Sequence, residues 1–218
     1  MKILAHRGYW KAENEKNSME ALKNALDHGY GFESDVRDYA GKMVISHNIA
    51  DGSSPDAEQV FAWLQEAGDT YCFAINIKAD GLKEILKEYL ERYQLKNYFL
   101  FDMSVPQMVE FKEAGLRFFT RQSELEKYPV MYEEAAGVWV DGFWSTEWIT
   151  EDLLKGHLSK GKEVCIVSAD LHGNRNYRTF WQRLKSYDLN WDKVLLCTDY
   201  PDEAREFFYG QESKSGTV

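Results

Sequence analysis

Gly31-Phe32-Glu33-Ser34-Asp35-Val36-Arg37 followed, after Asp38-Tyr39-Ala40-Gly41-Lys42, by Met43-Val44-Ile45-Ser46-His47 is the stretch on which the fold turns. Both apolar runs read as strands, and the connection between them is too short for a helical crossover. The second run therefore pairs antiparallel with the first as a hairpin. Elsewhere β-rich runs alternate with helical patterns: strands near 3–6, 31–37, 72–78, 98–101, 117–120, 137–140, 163–168 and 194–198, and helices near 17–28, 56–67, 81–93, 105–114, 124–134, 147–158, 175–187 and 201–209. With the run at 43–46 set aside as a hairpin, eight strands alternate with eight helices. That pattern predicts a (β/α)₈ barrel with a small β-hairpin insertion after the second strand.

Boundary signals agree with this division. Asn17 or Ser18 can cap the first helix, Pro55-Asp56 opens another, and Pro106 and Pro201 occupy first-turn positions. The chain has 218 residues, enough for one sizeable domain, read as a single barrel over 1–209 with a flexible tail over 210–218. A formal net charge of -10 argues against a nucleic-acid partner held by a broad basic surface, while leaving room for an anionic small molecule in a locally positive pocket. Cys72, Cys165 and Cys197 lie inside apolar runs without CxxC spacing and read as buried thiols. No run approaches the ~18 apolar residues of a membrane span, and the first motif begins within a few residues of Met1. The expectation is a cytoplasmic protein with no stable membrane insertion; the sequence leaves its oligomeric state open.

The chemistry-bearing residues gather early and at strand ends, where α/β barrels display their reacting groups. His6 follows Ile3-Leu4-Ala5, and His47 follows Val44-Ile45-Ser46. In a strand, Glu33 and Asp35 point to one face and either repel or share a cation, for which a divalent ion such as Mg²⁺ or Ca²⁺ is the economical choice. In Phe73-Ala74-Ile75-Asn76-Ile77-Lys78, alternation places Ala74, Asn76 and Lys78 together. The Asn76 amide oxygen can complete an oxygen coordination shell, Lys78 offers a point charge for a phosphate oxygen, and Arg7 adds a planar donor fork. Trp10 and Trp144 are candidate substrate contacts. Asp102 and Arg121, at later strand ends, are weaker candidates; His172, after the penultimate strand, can line the mouth but reads first as a solvated loop residue, and His28 and His157 read as helix-end or surface histidines.

The order His6-Arg7-Gly8, Glu33-Ser34-Asp35, Val44-Ile45-Ser46-His47, supported by Ala21-Leu22-Lys23-Asn24-Ala25, Ile75-Asn76-Ile77-Lys78 and Thr198-Asp199-Tyr200-Pro201, resembles the glycerophosphodiester phosphodiesterase family. The resemblance implies a TIM barrel, a divalent metal on Glu33 and Asp35, an acid/base pair formed by His6 and His47, and a small phosphodiester substrate cleaved to an alcohol and a phosphomonoester. Two departures stand out. Asn76 occupies the place of a third, acidic ligand, and Ala12–Ser18 replaces a shorter Pro-Glu-Asn-Thr segment, with Glu13 or Glu15 in the acidic role. Two alternatives compete with this reading. One is a phospholipase-type barrel cleaving a lysophospholipid headgroup, which the negative charge disfavours; the other is a catalytically weak phosphodiester-binding barrel, which Asn76 favours.

Overall fold

The computed structural model describes residues 1–210. Nine strands are formed: β1 (Lys2–His6), β2 (Gly31–Tyr39), β3 (Lys42–Ile45), β4 (Phe73–Ile77), β5 (Tyr98–Phe101), β6 (Phe119–Ser123), β7 (Gly137–Asp141), β8 (Glu163–Val167) and β9 (Val194–Thr198). Eight of them run parallel in the order β5-β4-β2-β1-β9-β8-β7-β6. A Leu100–Phe118 bridge, with the Leu100 N–H donating to the Arg117 carbonyl at 3.0 Å, brings β5 against β6 and closes the barrel.

β3 is the exception that the short connection required. Among the described strands it pairs with β2 alone, antiparallel, from Val36↔Ile45 to Tyr39↔Lys42, and on its other side Val44 bridges Asp56. The two turn residues, Ala40 and Gly41, both have positive φ, at 49° and 79°. This is the left-handed two-residue turn that suits the twist of antiparallel strands.

Among the described residues seven α-helices pack outside: α1 (Met19–Asp27), α2 (Glu58–Glu66), α3 (Lys83–Arg92), α4 (Val105–Glu113), α5 (Glu151–Ser159), α6 (Tyr177–Lys185) and α7 (Pro201–Tyr209). Ser18, Ser104 and Thr150 cap α1, α4 and α5, each accepting a hydrogen bond from a first-turn N–H. The expected helix over 124–134 does not form, and β6 begins two residues later than expected. Pro129 interrupts the segment, Met131 has φ 51°, and Thr120 Oγ1 donates to the Val130 carbonyl at 2.6 Å. The Glu124 and Glu126 side chains are drawn to the end of the sheet: Glu126 pairs with Arg121, and Glu124 accepts from three backbone N–H groups.

Leu4, Ala74, Phe99, Phe101, Phe119, Trp139, Cys165 and Cys197 fill the barrel interior, with Phe99 stacked on Phe119 at 3.9 Å and Phe101 on Trp139 at 4.0 Å. The alternate positions, among them Phe32, Ile75, Val138 and Ile166, pack against the helices. All three cysteines are buried free thiols, and burial pushes the Cys72 thiol up to about 12. His157 departs from the surface role expected of it. It is buried in α5, its Nδ1 on the Tyr132 hydroxyl at 2.9 Å and its Nε2 on Gln122 Oε1 at 2.8 Å. Apart from Gly210, the tail expected over 210–218 lies outside the described residues. No helix among the described residues is long and apolar enough to cross a membrane.

Candidate active site

Two residues past Leu4 in the interior layer, β1 ends on His6, and the chain leaves the strand through Arg7 and Gly8 at φ 56° and 92°. A Cβ on Gly8 would stand 2.6 Å from the Ala21 carbonyl carbon, so glycine is what allows the turn to close against α1. Register then places His6 beside Glu33, and Asp35 beside Asn76. The sequence candidates on three adjacent strands thus meet at one end of the barrel, the end where strand C-termini lie.

Asp35 is the hub. Its Oδ2 accepts from Asn17 Nδ2 at 2.7 Å and lies 3.0 Å from Arg7 Nε, while its Oδ1 is 3.4 Å from Lys78 Nζ. Glu33 is also buried. Its Oε2 accepts from the Arg7 N–H at 3.2 Å and lies 3.8 Å from His6 Nε2. Burial, and then the charge of Asp35, raise the Glu33 carboxyl to about 7. His6 Nδ1 is hydrogen-bonded to Asp199 Oδ1 at 2.6 Å, which fixes the ring and leaves Nε2 on the side of Glu33. Burial alone would raise the Asp199 carboxyl; the His6 bond and the nearby Lys16 charge outweigh it and hold it low.

The buried Oδ1 atoms of Asp35 and Asn76 have no hydrogen-bond partner. These two buried oxygens on paired strand positions, one of them sharing only the ion pair with Lys78 at 3.4 Å and with Glu33 alongside, have the chemistry that an oxygen-seeking divalent cation requires. Among the described residues no three His, Cys, Asp or Glu side chains converge as a ligand group, so Asn76 would have to serve as the third donor.

His6, Arg7, Glu33, Asp35, Asn76 and Lys78 are thus assembled on β1, β2 and β4. His47 is delivered to the same edge by the hairpin, the adjacent Ser46 N–H donating to the Asp35 carbonyl at 3.0 Å. Its ring is exposed and pairs with Asn48 Oδ1 at 3.0 Å instead of joining the cluster. Trp10 is half-buried at the rim, its indole N–H on the His6 carbonyl at 2.9 Å and the Lys16 ammonium 4.4 Å from its ring. Trp144, in the loop after β7, is 73% exposed.

Sequence reasoning missed Asp199, Asn17 and Lys16. Asp199 carries the signal that singled out His6, a polar residue directly after an apolar strand. Asn17 was read as a possible cap; Ser18 performs that task, while Asn17, at φ 62°, turns its amide onto Ser34 and Asp35. Glu15 accepts from the Lys11 and Ala12 N–H groups and Glu13 pairs with Lys16, so it is the Lys16 ammonium that reaches the mouth, 3.1 Å from Asp199 Oδ2. Asp102 and Arg121 do reach the mouth, joined at 2.9 Å, with Lys78 3.7 Å from Asp102. His172 is not a free loop residue: its Nε2 is held by Asp141 Oδ1 at 2.6 Å.

No family model matches the chain, and no curated protein matches it. Solved structures do. A glycerophosphodiester phosphodiesterase from Parabacteroides distasonis superposes with a TM-score of 0.72 at 17% identity, over 96% of this chain and 97% of that one. A glycerophosphoryl diester phosphodiesterase from the same organism gives 0.67 at 15% identity, over 99% and 88%. A glycerophosphodiester phosphodiesterase from Agrobacterium tumefaciens gives 0.63 at 14% identity, over 95% and 98%. At these identities the likeness establishes the fold, a TIM barrel end to end.

Proposed function

We propose that this chain is a metal-dependent phosphodiesterase that hydrolyses a small glycerophosphodiester-like substrate to an alcohol and a phosphomonoester, working in the cytoplasm. The observation that carries the reading is the His6–Asp199 pair set beside the buried Glu33/Asp35 carboxylates and the Arg7 and Lys78 cations. The names borne by the solved structures of the same fold point the same way. Glu33, Asp35 and Asn76 would hold the divalent cation, Mg²⁺ or Ca²⁺, which when bound supplies charge stabilisation to the phosphate oxygens.

The remaining work falls to the chain itself. Arg7 and Lys78 take the non-bridging oxygens and offset charge building up on phosphorus. His6 and His47 move the protons. One removes a proton from the attacking hydroxyl, whose oxygen bonds to phosphorus, while the other protonates the alcohol oxygen as its bond to phosphorus breaks. Asp199 keeps His6 in one tautomer and orientation throughout.

A phosphodiester-binding barrel with little turnover is the second reading, favoured by the solvent-exposed pose of His47 and by the amide at position 76. Hydrolysis of bis(p-nitrophenyl) phosphate and glycerophosphocholine, with EDTA and then with Mg²⁺, Ca²⁺ or Mn²⁺ restored, separates the two. Metal-restored turnover that drops by roughly 10²-fold or more in Glu33→Ala/Asp35→Ala establishes the enzyme. Silence with every metal in a folded protein that still binds glycerophosphocholine in a calorimetric titration favours the binder.

A further inference from the structure

Where β8 and β9 end, beside Asp199, lies a buried carboxylate that the proposed reaction does not use. β8 stops at Val167, and the Ser168 N–H continues its ladder onto the Cys197 carbonyl at 2.9 Å. The chain then folds into a short 3₁₀ turn, Ala169–His172, followed by Gly173 at φ 73°. That turn sends the Asp170 side chain back over the end of β9, where its Oδ2 accepts from the Thr198 hydroxyl at 3.0 Å and from the Asp199 N–H at 2.7 Å. Asp170 and Thr198 are both buried, which shields these bonds from competition by water.

Asp199 lies one residue beyond the last residue of β9, past the strand pairings, so its N–H needs an acceptor from elsewhere. A neutral oxygen would satisfy it. The chain instead buries a carboxylate there, although burial raises the Asp170 carboxyl above its ordinary range. What the carboxylate adds is a shorter and stronger bond than a neutral acceptor makes. That bond matters because Asp199 is the residue that holds His6. Ala5 pairs with Thr198 across β1 and β9, which brings the next residue of each strand into reach, and His6 Nδ1 meets Asp199 Oδ1 at 2.6 Å. The other carboxylate oxygen faces the Lys16 ammonium at 3.1 Å, but Lys16 is shared with Glu13 at 3.0 Å, whose side chain is 79% exposed, so this is the looser hold. Asp170 acts on the Asp199 backbone from a turn tied to the sheet. The Tyr200 N–H, donating to Thr198 Oγ1 at 3.1 Å, extends the clamp to the start of α7.

We propose that Asp170 is a positioning residue for the reaction: by clamping the Asp199 backbone it fixes the carboxylate that orients His6. The proposal rests on the phosphodiesterase reading for its kinetic consequence, while its effect on the His6–Asp199 bond can be read without turnover. Four substitutions separate the clamp from general support of the turn. Asp170→Ala frees the Asp199 N–H, and Asp170→Asn keeps an acceptor oxygen on it. Thr198→Val keeps the shape of the side chain and removes the hydroxyl that Asp170 also holds, so it probes the clamp from the β9 side should Asp170→Ala not fold. Trp181→Phe removes the indole bond to Ser168 Oγ at 2.8 Å and loosens the same turn without touching Asp199.

With glycerophosphocholine and Mg²⁺, Asp170→Ala should lose roughly 10–10²-fold in kcat at a KM within about twofold of the wild type, because a displaced imidazole forfeits catalysis while the phosphate contacts remain. Thr198→Val should move the same way by less, Asp170→Asn should stay within about threefold of the wild type, and Trp181→Phe should unfold at lower urea while keeping its kcat. Proton NMR of the ¹⁵N-histidine-labelled protein, at one pH and with Mg²⁺ present, reads the bond itself. The downfield His6 Nδ1–H resonance, identified by its loss in His6→Gln, should persist in Asp170→Asn and Trp181→Phe and broaden or vanish in Asp170→Ala. A resonance absent from the wild type or unchanged in Asp170→Ala, or equal kcat losses in Asp170→Ala and Trp181→Phe, overturns the proposal. A wild type inert towards every phosphodiester counts against the hydrolytic reading alone, and the His6 resonance then decides whether Asp170 holds the pair.

Discussion

His157 shows how a single residue's surroundings decide its behaviour. Burial drives its pKa down to about 4, and the Tyr132 hydroxyl and Gln122 amide oxygen suit the neutral ring, one donating to Nδ1 and the other accepting from Nε2. In the unfolded chain the ring takes up a proton near its ordinary value of 6.5, well before the folded form does. Its contribution to stability is therefore complete above pH 6.5 and declines as the pH falls towards 4. His157→Ala, which strands both partners, should cost about 2 kcal/mol at pH 7.5. Urea unfolding of both proteins should show this difference narrowing by pH 5, and a constant gap would refute the account. The sequence could not reveal the burial, because the ring's partners lie 25 and 35 residues away. His6, Glu33 and Asp35 were legible for the opposite reason: their alignment follows from strand periodicity and the short reach of a strand end. Asn17 was not, since its role depends on a left-handed backbone that no local pattern announces.

Among the elements, the hairpin was readable from its connection length and the helix expected over 124–134 was misread from its apolar spacing. The difference lies in what decides each. A connection too short for a crossover permits only antiparallel pairing. A marginal helix instead yields to tertiary demands: here Pro129 denies it a donor, and Glu124 and Glu126 find partners at the end of the sheet. The hairpin still carries a local conflict. Ala40 stands at φ 49° in a turn whose first position favours asparagine or glycine. Ala40→Asn should therefore stabilise the protein by about 0.5–1 kcal/mol, read as a higher urea midpoint at unchanged slope. Because asparagine adopts the same left-handed turn and so keeps β3 and His47 in place, the substitution should leave turnover of bis(p-nitrophenyl) phosphate unaltered; a lower midpoint would show that the turn is not under this strain.

At the scale of the whole molecule, the alternation of strand and helix along the chain specifies a barrel, yet carries no signal of how the ring closes. The seam between β5 and β6 is the weakest join in the sheet. β4 and β5 run in register from Phe73↔Tyr98 to Asn76↔Phe101, whereas β5 meets β6 through the Leu100–Phe118 bridge. Side chains make up the deficit. Phe99 and Phe119 stack across the seam at 3.9 Å with an interplanar angle of 8°, Arg117 Nη1 donates to the Tyr98 carbonyl at 2.7 Å, and Arg121 pairs with Asp102 at 2.9 Å. The stack is thus part of the closure as well as of the core. Phe119→Ala should cost about 3–5 kcal/mol, the usual range for emptying a buried aromatic position. It should also act locally. Hydrogen exchange at the Leu100 amide, bonded across the seam, should accelerate more than at Phe73 or Phe32, whose amides sit in continuous pairing. Uniform acceleration at all three would mean that β5 and β6 open only with global unfolding and that the barrel has no weak seam.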